Sequence, residues 1–187
     1  MQGYRVLKNS KFQNDKFSIV PIRYEDRFEI MKWRNEQIYH LRQAHPLTKE
    51  NQEIYFTDTI AKLFDEEKPG QILFSYLEGD TCIGYGGLVH INWVDSNAEI
   101  SFIIKTDLEK DYFEFHWQTY LGLIEQVAFE DLSLHKIYTY AFDLRKRLYS
   151  ALLKSNFTEE ARLKEHRFFG DKFIDVVIHS KITGLGS

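Results

Sequence analysis

The fold is decided by one stretch in the second half of the chain: Leu123-Ile124-Glu125-Gln126-Val127-Ala128-Phe129-Glu130-Asp131-Leu132-Ser133-Leu134-His135-Lys136-Ile137. It continues a run of apolar residues at helical spacing, which predicts a helix from about Tyr112 to Leu132. Lys136 to Asp143 is predicted as a strand, and Arg145 to Ser155 as a short helix. A helix is therefore followed directly by a strand and by a second helix.

The chain then ends in a predicted pair of antiparallel strands. Phe157 to Arg167 and Lys172 to Ile182 flank a turn at Phe169-Gly170-Asp171. Asn156 can end the preceding helix in a left-handed conformation, which asparagine tolerates better than most residues. Strands joined both by hairpins and by helical crossovers imply a mixed sheet with helices on its faces.

The first half of the chain supplies further strands and two helices. Phe17 to Arg23 alternates apolar and polar residues and predicts a first strand, and Tyr24 to Gln37 predicts a helix. Thr48 is the predicted N-cap of a second helix, which reaches about Asp65. After a turn at Pro69-Gly70 we expect three strands, over 71–77, 81–92 and 98–105. The predicted order is thus a strand, two helices, three strands, a helix, a strand, a helix and two strands.

Composition excludes several classes of protein. The chain has 187 residues, 43% of them hydrophobic, which suits a single domain (1–187, core about 17–182) with a sizeable core. Lys and Arg number 24 against 28 Asp and Glu, and the net charge of -4 argues against a nucleic-acid partner. The single cysteine, Cys82, excludes an internal disulfide and a multi-cysteine zinc site. No apolar run has the length of a membrane span and the N-terminus lacks a signal-peptide core, so we expect a cytoplasmic protein with no membrane partner.

This order of elements resembles that of the GNAT acetyltransferases, which transfer an acetyl group from acetyl-CoA to an amine. The resemblance covers residues 17–182. Leu134-His135-Lys136-Ile137 and the run from Glu160 to His166 resemble the branch of ribosomal-protein N-terminal and spermidine acetyltransferases. Trp33-Arg34-Asn35 resembles a tripeptide of the branch that acetylates nucleotide-linked amino sugars. The implied fold class is α/β (an α+β sandwich), with a mixed, mostly antiparallel sheet of about seven strands and helices on both faces.

The resemblance implies acetyl-CoA as the acetyl donor, held at two places. The fourth strand, with Phe102, Ile103 and Ile104, would pair with the pantetheine arm through its backbone. Backbone N–H groups at the start of the next helix would bind the pyrophosphate, and the family places glycines there. This sequence has aromatic residues instead, in the run Tyr112-Phe113-Glu114-Phe115-His116-Trp117.

Two interpretations of this aromatic run remain open. Either the loop is rebuilt, with backbone amides that still face the phosphates and added positive charge from His116 or Lys110, or the side chains belong to the core and CoA binding is weakened. The spacing of Phe113, Trp117 and Tyr120 favours core packing for these three. Arg145, at the start of the last helix, is either a phosphate ligand or an exposed charge.

Acetyl transfer by direct attack needs a base for the amine and an acid for the departing thiolate. By resemblance, Glu99 at the start of the fourth strand is the candidate base; otherwise it is an ordinary carboxylate at a strand end. In the family, a tyrosine protonates the departing thiolate, and its position corresponds to Leu152 here. Tyr149, three residues earlier, is then either the substitute acid or a packing tyrosine. Cys82 has no evident partner base, so no acyl-enzyme is expected.

The candidate acceptor residues are Trp33, Arg34 and Asn35 by resemblance, with His90 near the end of the third strand. An arginine can pair with a phosphate or carboxylate, and a tryptophan can stack on a sugar or base. Alternatively, Trp33 anchors the helix and Arg34 is solvated. The seven histidines show no metal-ligand spacing, so no metal is predicted.

We therefore predict an N-acetyltransferase that moves acetyl from acetyl-CoA to a primary amine of a small molecule in a ternary complex, with a homodimer left open. A nucleotide-linked amino sugar is the preferred acceptor, on Trp33-Arg34-Asn35. A protein N-terminus or a polyamine is the alternative, on the run from Glu160 to His166. A second alternative is a non-catalytic GNAT-fold binding or assembly protein, favoured by the missing glycines and by Leu152 and Arg145.

Overall fold

Residues 3–184 are described by a computed structural model of the chain. Its strands are β1 (Phe12–Asn14), β2 (Phe17–Pro21), β3 (Ile72–Glu78), β4 (Thr81–Asn92), β5 (Asn97–Ile104), β6 (Lys136–Phe142), β7 (Thr158–Phe169) and β8 (Lys172–Ile182). They form one eight-stranded sheet in the spatial order β1-β2-β3-β4-β5-β6-β8-β7. All neighbouring strands are antiparallel except β5 and β6, which are parallel. The predicted mixed, mostly antiparallel sheet is confirmed.

The additional strand relative to the prediction is β1, which pairs with β2 at the edge of the sheet. It has three residues, of which only Phe12 is buried, so it is too short to show a period in the sequence. The assignment of residues 1–187 to a single domain stays a prediction.

The helices are α1 (Arg27–Glu36), α2 (Lys49–Ile54), α3 (Ala61–Leu63), α4 (Thr106–Asp111), α5 (Phe113–Glu125) and α6 (Lys146–Lys154). A π-helical segment (Tyr55–Ile60) joins α2 to α3, and another (Gln126–Asp131) extends α5. Thr48 caps α2 as predicted, because its hydroxyl accepts a hydrogen bond from Asn51 N at 3.1 Å. Within residues 3–184 no helix has the length and apolar character needed to cross a membrane.

Helices cover both faces of the sheet, as predicted. Neighbouring residues of a strand point to opposite faces. Ser75 of β3 donates to Asp26 Oδ2 at 2.6 Å, just before α1. Tyr76 instead meets Tyr120 of α5, with ring centroids 5.8 Å apart. Thus α1 and α2 lie on one face, and α5, with α6 packed against it, lies on the other.

Strands β5 and β6 separate part-way along their length. They pair only from Asn97–Lys136 to Glu99–Tyr138, although β5 continues to Ile104. Beyond Glu99, no strand within residues 3–184 pairs with this edge of β5, and unpaired backbone groups need other partners. At the far end Gln37 supplies one, since its Nε2 donates to the Ile104 carbonyl at 2.7 Å. Between these two points the middle of the sheet is open.

The glycines of β4 allow an unusually close approach of its neighbours. A Cβ added at Gly86 would lie 2.1 Å from the Ser101 carbonyl oxygen of β5 and 2.7 Å from the Tyr120 hydroxyl. A backbone oxygen of a central strand cannot move aside without breaking the sheet. These contacts explain the glycine cluster inside a strand, where glycine otherwise weakens packing.

We therefore expect Gly86→Ala to lower the free energy of unfolding by about 3 kcal/mol, measured by chemical denaturation. Gly122→Ala is the matched control. Gly122 lies in α5 with open space around it, and alanine there should raise stability by up to about 1 kcal/mol. A Gly86→Ala variant as stable as the wild type would contradict the close approach.

Candidate active site

The separation of β5 and β6 opens a cavity of about 100 Å³, called the cleft below. Its walls come from residues 99–103 of β5, residues 139–142 of β6 and the segment 40–42 after α1, and it is closed by Trp117, Arg145 and Leu148. The predicted residues Glu99, Phe102 and Ile103 all line the cleft. Ile104 is not among the lining residues, and its carbonyl already accepts from Gln37.

Two buried side chains in the wall of the cleft have polar atoms without a partner. His40 Nδ1 and Thr139 Oγ1 make no hydrogen bond to any residue from 3 to 184. His40 is 8% exposed and Thr139 is 3% exposed, so water is largely excluded from both. Leaving a buried polar atom unpaired costs about 1–3 kcal/mol. Such atoms in a cavity wall indicate a ligand that supplies the missing partner.

Gln37 determines which nitrogen of His40 carries the proton. Gln37 Nε2 donates to the Ile104 carbonyl, so its Oε1 is the acceptor that lies 3.3 Å from His40 Nε2. His40 Nε2 must then carry the hydrogen, which leaves Nδ1 as an acceptor. Burial, followed by the charges of Arg145 and Arg147, lowers the pKa of His40 from 6.5 to about 3. The ring is therefore neutral at neutral pH.

Glu99 lies where β5 and β6 separate, and both its carboxylate oxygens are engaged. Oε1 accepts from Arg42 Nη2, and Oε2 lies 2.8 Å from His90 Nδ1. His90 has a left-handed φ of 50° at a break in the β4–β5 register, a conformation that is uncommon for a residue with a side chain. The structure thus brings the predicted residues Glu99 and His90 together. It adds Arg42, which sequence reasoning missed.

The aromatic run from Tyr112 to Trp117 does not form a loop, because α5 begins at Phe113. Phe113, His116 and Trp117 are buried, which supports the core interpretation. Burial lowers the pKa of His116, so the expected positive charge is corrected to a neutral ring beside Tyr76. Glu114 pairs with Lys154, and Phe115 is exposed. Of the run from Tyr112 to Trp117, at which the resemblance places the pyrophosphate site, only Trp117 lines the cleft.

Helix α4 stands between β5 and α5 in place of a glycine-rich loop. Its Glu109 is buried and accepts from Arg147 Nη2, while Arg145 Nη1 lies 3.7 Å away. Two guanidinium groups against one carboxylate leave positive charge beside the cleft. Burial lowers the pKa of Arg145 to about 10, so it is still charged at neutral pH. Arg145 lines the cleft with its side chain 16% exposed, which corrects the alternative of an exposed charge at the helix start.

Tyr149 is not among the residues that line the cleft. Its hydroxyl donates to Asp143 Oδ1 at 2.7 Å, and its ring stacks on His179 with centroids 5.0 Å apart. Burial and the hydrogen bond to Asp143 raise the pKa of Tyr149. Leu152, at the position of the family's tyrosine, is fully buried. The structure therefore does not bring Tyr149 to Glu99.

A second cavity of about 330 Å³, called the α1–α2 cavity below, shares Ser101 with the cleft. Of the predicted tripeptide only Arg34 lines it. Trp33 is 2% exposed in the core. Asn35 holds the loop before α2, since its Nδ2 donates to the Leu47 carbonyl at 2.9 Å and its Oδ1 accepts from Leu47 N at 2.7 Å. Trp33 and Asn35 thus have structural roles here.

The sequence matches the family model of the acetyltransferase (GNAT) domain over residues 19–178. The chain belongs to the GNAT acetyltransferase family. The predicted family, fold and acetyl-CoA-dependent N-acetyltransferase activity are therefore confirmed. No group of three or more His, Cys, Asp or Glu side chains that could hold a metal ion occurs within residues 3–184.

Solved structures with a similar fold include spermidine N-acetyltransferase from Vibrio cholerae in complex with CoA and spermine. Its TM-score is 0.78 at 20% identity, over 90% of this chain and 96% of that chain. Mutant forms of the spermidine/spermine N-acetyltransferase from the same organism give a TM-score of 0.72 at 19% identity, over 90% and 95%. A dodecameric structure of that organism's enzyme gives 0.71 at 20% identity, over 90% and 95%. The search of curated proteins found no match to this sequence.

The neutral His40 predicts a pH dependence of stability. In the unfolded chain a histidine takes up a proton near pH 6.5, but His40 in the folded chain does so only near pH 3. Between these values the unfolded state binds more protons, so stability falls as the pH is lowered through this window. The contribution of His40 is at most about 1.4 kcal/mol per pH unit.

We expect His40→Gln to lose stability less steeply than the wild type between neutral pH and about pH 4. Urea denaturation over this range measures the two slopes. The matched control is His45→Gln, since His45 is exposed and should leave the slope unchanged. Equal slopes for His40→Gln and the wild type would contradict a buried, neutral His40.

Proposed function

We propose that the GNAT chain transfers the acetyl group of acetyl-CoA to a primary amine of a small molecule in a ternary complex. The observation that carries this proposal is that Ser101 lines both the cleft and the α1–α2 cavity. Glu99 lies two residues away on the same face of β5. A donor bound in the cleft and an acceptor bound in the α1–α2 cavity would therefore meet beside a carboxylate.

The residues of the cleft suit acetyl-CoA, which supplies the acetyl group as a thioester. The open edge of β5 at Phe102 and Ile103 offers backbone groups to the amides of the pantetheine arm. His40 Nδ1 can accept from an amide N–H, and the Thr139 hydroxyl can donate to a carbonyl. Both orphaned atoms would then be satisfied.

The positive charge for the cofactor phosphates comes from Arg145 and Arg147 in this proposal. Arginine binds phosphate through a planar fork of donors and does not require the glycines that the family uses. Helix α4, which replaces the glycine loop, contributes through Glu109, which holds both guanidinium groups in place. The missing glycines therefore do not argue for the non-catalytic alternative.

Glu99 is the residue we assign to take the proton from the attacking amine. Arg42 and His90 hold its carboxylate in one orientation. The His90 side chain is 64% exposed, so it connects the buried carboxylate with solvent and can pass the proton on. The new carbon–nitrogen bond forms as the carbon–sulfur bond breaks, and the sulfur leaves as a thiolate that takes a proton from water. No dedicated acid is assigned, because a thiolate can leave without one.

A polyamine is the second candidate acceptor, and the observation that favours it is the fold shared with the spermidine acetyltransferases. The structures reported above do not support a nucleotide-linked amino sugar as the acceptor. The resemblance of Trp33-Arg34-Asn35 also supports that acceptor less, because Trp33 is buried in the core and Asn35 holds a loop. A homodimer and a cytoplasmic location stay predictions.

Glu99→Gln should lower kcat by about 100-fold or more, because the base is lost while the shape of the site is kept. Thiol release from acetyl-CoA with a panel of primary amines measures kcat, and calorimetry should show that acetyl-CoA still binds. Glu29→Gln, at an exposed carboxylate of α1, is the matched control. Absence of acetyl-CoA binding to the wild type would refute the function, and full activity of Glu99→Gln would refute the role of Glu99.

Tyr149→Phe should keep kcat close to the wild-type value, since its hydroxyl serves Asp143 and not the cleft. The free energy of unfolding should fall by about 1 kcal/mol from the lost hydrogen bond. The same two assays measure both quantities. A large loss of kcat with unchanged stability would contradict this and indicate that Tyr149 protonates the departing thiolate.

A further inference from the structure

The α1–α2 cavity has an unusual balance of charge. Among the described residues that line it, Arg34 alone is charged. The apolar part of the wall includes Ile22, Leu73 and Val89. A cation in a mostly apolar cavity is costly unless an anion accompanies it. The lining includes no carboxylate to do so.

Hydrogen bonds hold the Arg34 guanidinium in place without neutralising it. Nε donates to Gln43 Oε1 at 2.9 Å, and Nη1 donates to the Tyr85 hydroxyl. Gln43 is held in turn by Asn35 Oδ1 at 3.1 Å. No carboxylate oxygen from residues 3–184 lies within 4.0 Å of Arg34, and its Nη2 makes no hydrogen bond to them. The Arg34 guanidinium is therefore held in one position, and it keeps both free N–H donors and a positive charge that no nearby carboxylate balances.

Two tyrosine hydroxyls add further donors to the same cavity. The Tyr85 hydroxyl accepts from Arg34, and the Tyr55 hydroxyl accepts from Gln71 Nε2 at 3.1 Å. Each hydroxyl has one hydrogen of its own, and neither donates it to a group from residues 3–184. Burial raises the pKa of Tyr55, so its hydroxyl stays protonated. Guanidinium and phenol donors without a carboxylate make up a set that suits a bound oxyanion.

We propose that the acceptor amine carries an anionic group, a phosphate or a carboxylate, which binds Arg34 Nη2 and the hydroxyls of Tyr55 and Tyr85. This inference rests on the proposed function and specifies the class of its acceptor. Since Ser101 lines the same cavity, an acceptor held by Arg34 can present its amine toward Glu99. A polyamine carries only positive charge and would meet Arg34 without a carboxylate to receive it, so the cavity disfavours it.

Matched pairs of acceptors test this proposal. Glucosamine 1-phosphate against glucosamine examines phosphate, β-alanine against propylamine examines carboxylate, and spermidine represents the polyamines. We expect a higher kcat/KM for the anionic member of at least one pair, and the pair that responds identifies the anion. Arg34→Gln should lower kcat/KM by about 10- to 100-fold for the acceptor with the anionic group and leave kcat/KM for the member of the pair without that group nearly unchanged.

Further variants separate recognition from folding. Tyr85→Phe keeps the ring in the core, removes one donor and should lower kcat/KM for the same anionic acceptor selectively. Arg34→Glu reverses the charge and should shift the preference toward spermidine. Lys32→Gln, at an exposed cation of the same helix, should change neither pair.

The inference and the proposed function fail in different ways. Two results would overturn the inference but not the proposed acetyl transfer. One is a wild type that prefers spermidine to every anionic acceptor, and the other is an Arg34→Gln variant whose kcat/KM falls equally for both members of a pair. If no amine is acetylated, the proposed function fails, and calorimetry then decides the anion site. Binding of glucosamine 1-phosphate or β-alanine to the wild type but not to Arg34→Gln supports the site, and no binding to the wild type overturns it.

Discussion

The separation of β5 and β6 after Glu99 is the constraint on which the rest of the site depends. A sheet tolerates an open edge in its middle only if the unpaired backbone groups find other partners. Gln37 meets that need at the far end by binding the Ile104 carbonyl, and the same side chain sets the proton position of His40. The side-chain amide of Gln37 therefore both binds the open edge of β5 and determines which nitrogen of His40 can accept a hydrogen bond in the cleft. What remains between Glu99 and Ile104 is an edge available to a ligand.

Charge within the site differs from the charge of the whole chain. The net charge is -4, yet the two buried carboxylates near the cleft are each met by cations. Glu99 is held by Arg42 and His90, and Glu109 by Arg145 and Arg147. Arg34, which has no carboxylate from residues 3–184 within 4.0 Å, adds a guanidinium group in the α1–α2 cavity. Such a field suits an anionic donor and an anionic acceptor, whereas overall composition speaks only to solubility and bulk partners.

The elements with a clear period were predictable, and the short ones were not. The helix after β5, the β6 strand and the final hairpin follow from apolar spacing and turn residues, and the structure has them within a few residues of the expected bounds. Helix α4 has one apolar residue in six and no period to detect. The residues at which the resemblance placed the glycine loop belong to α5, and among the phosphate ligands considered from the sequence only Trp117 and Arg145 line the cleft.

The sequence by itself determined the order of helices and strands, because local spacing is a property of neighbouring residues. Its motifs carried the resemblance to the GNAT family, and that resemblance implied Glu99 as a candidate base. Only the tertiary structure decided which side chains reach a cavity. Register and crossover place His40 and Thr139 in the wall of one cavity, each with one polar atom that has no partner within residues 3–184. They also place Arg34 in a cavity wall and Trp33 in the core. They also bring the Tyr149 hydroxyl within hydrogen-bonding distance of Asp143. These outcomes depend on contacts between segments far apart in the chain, and no periodicity encodes such contacts.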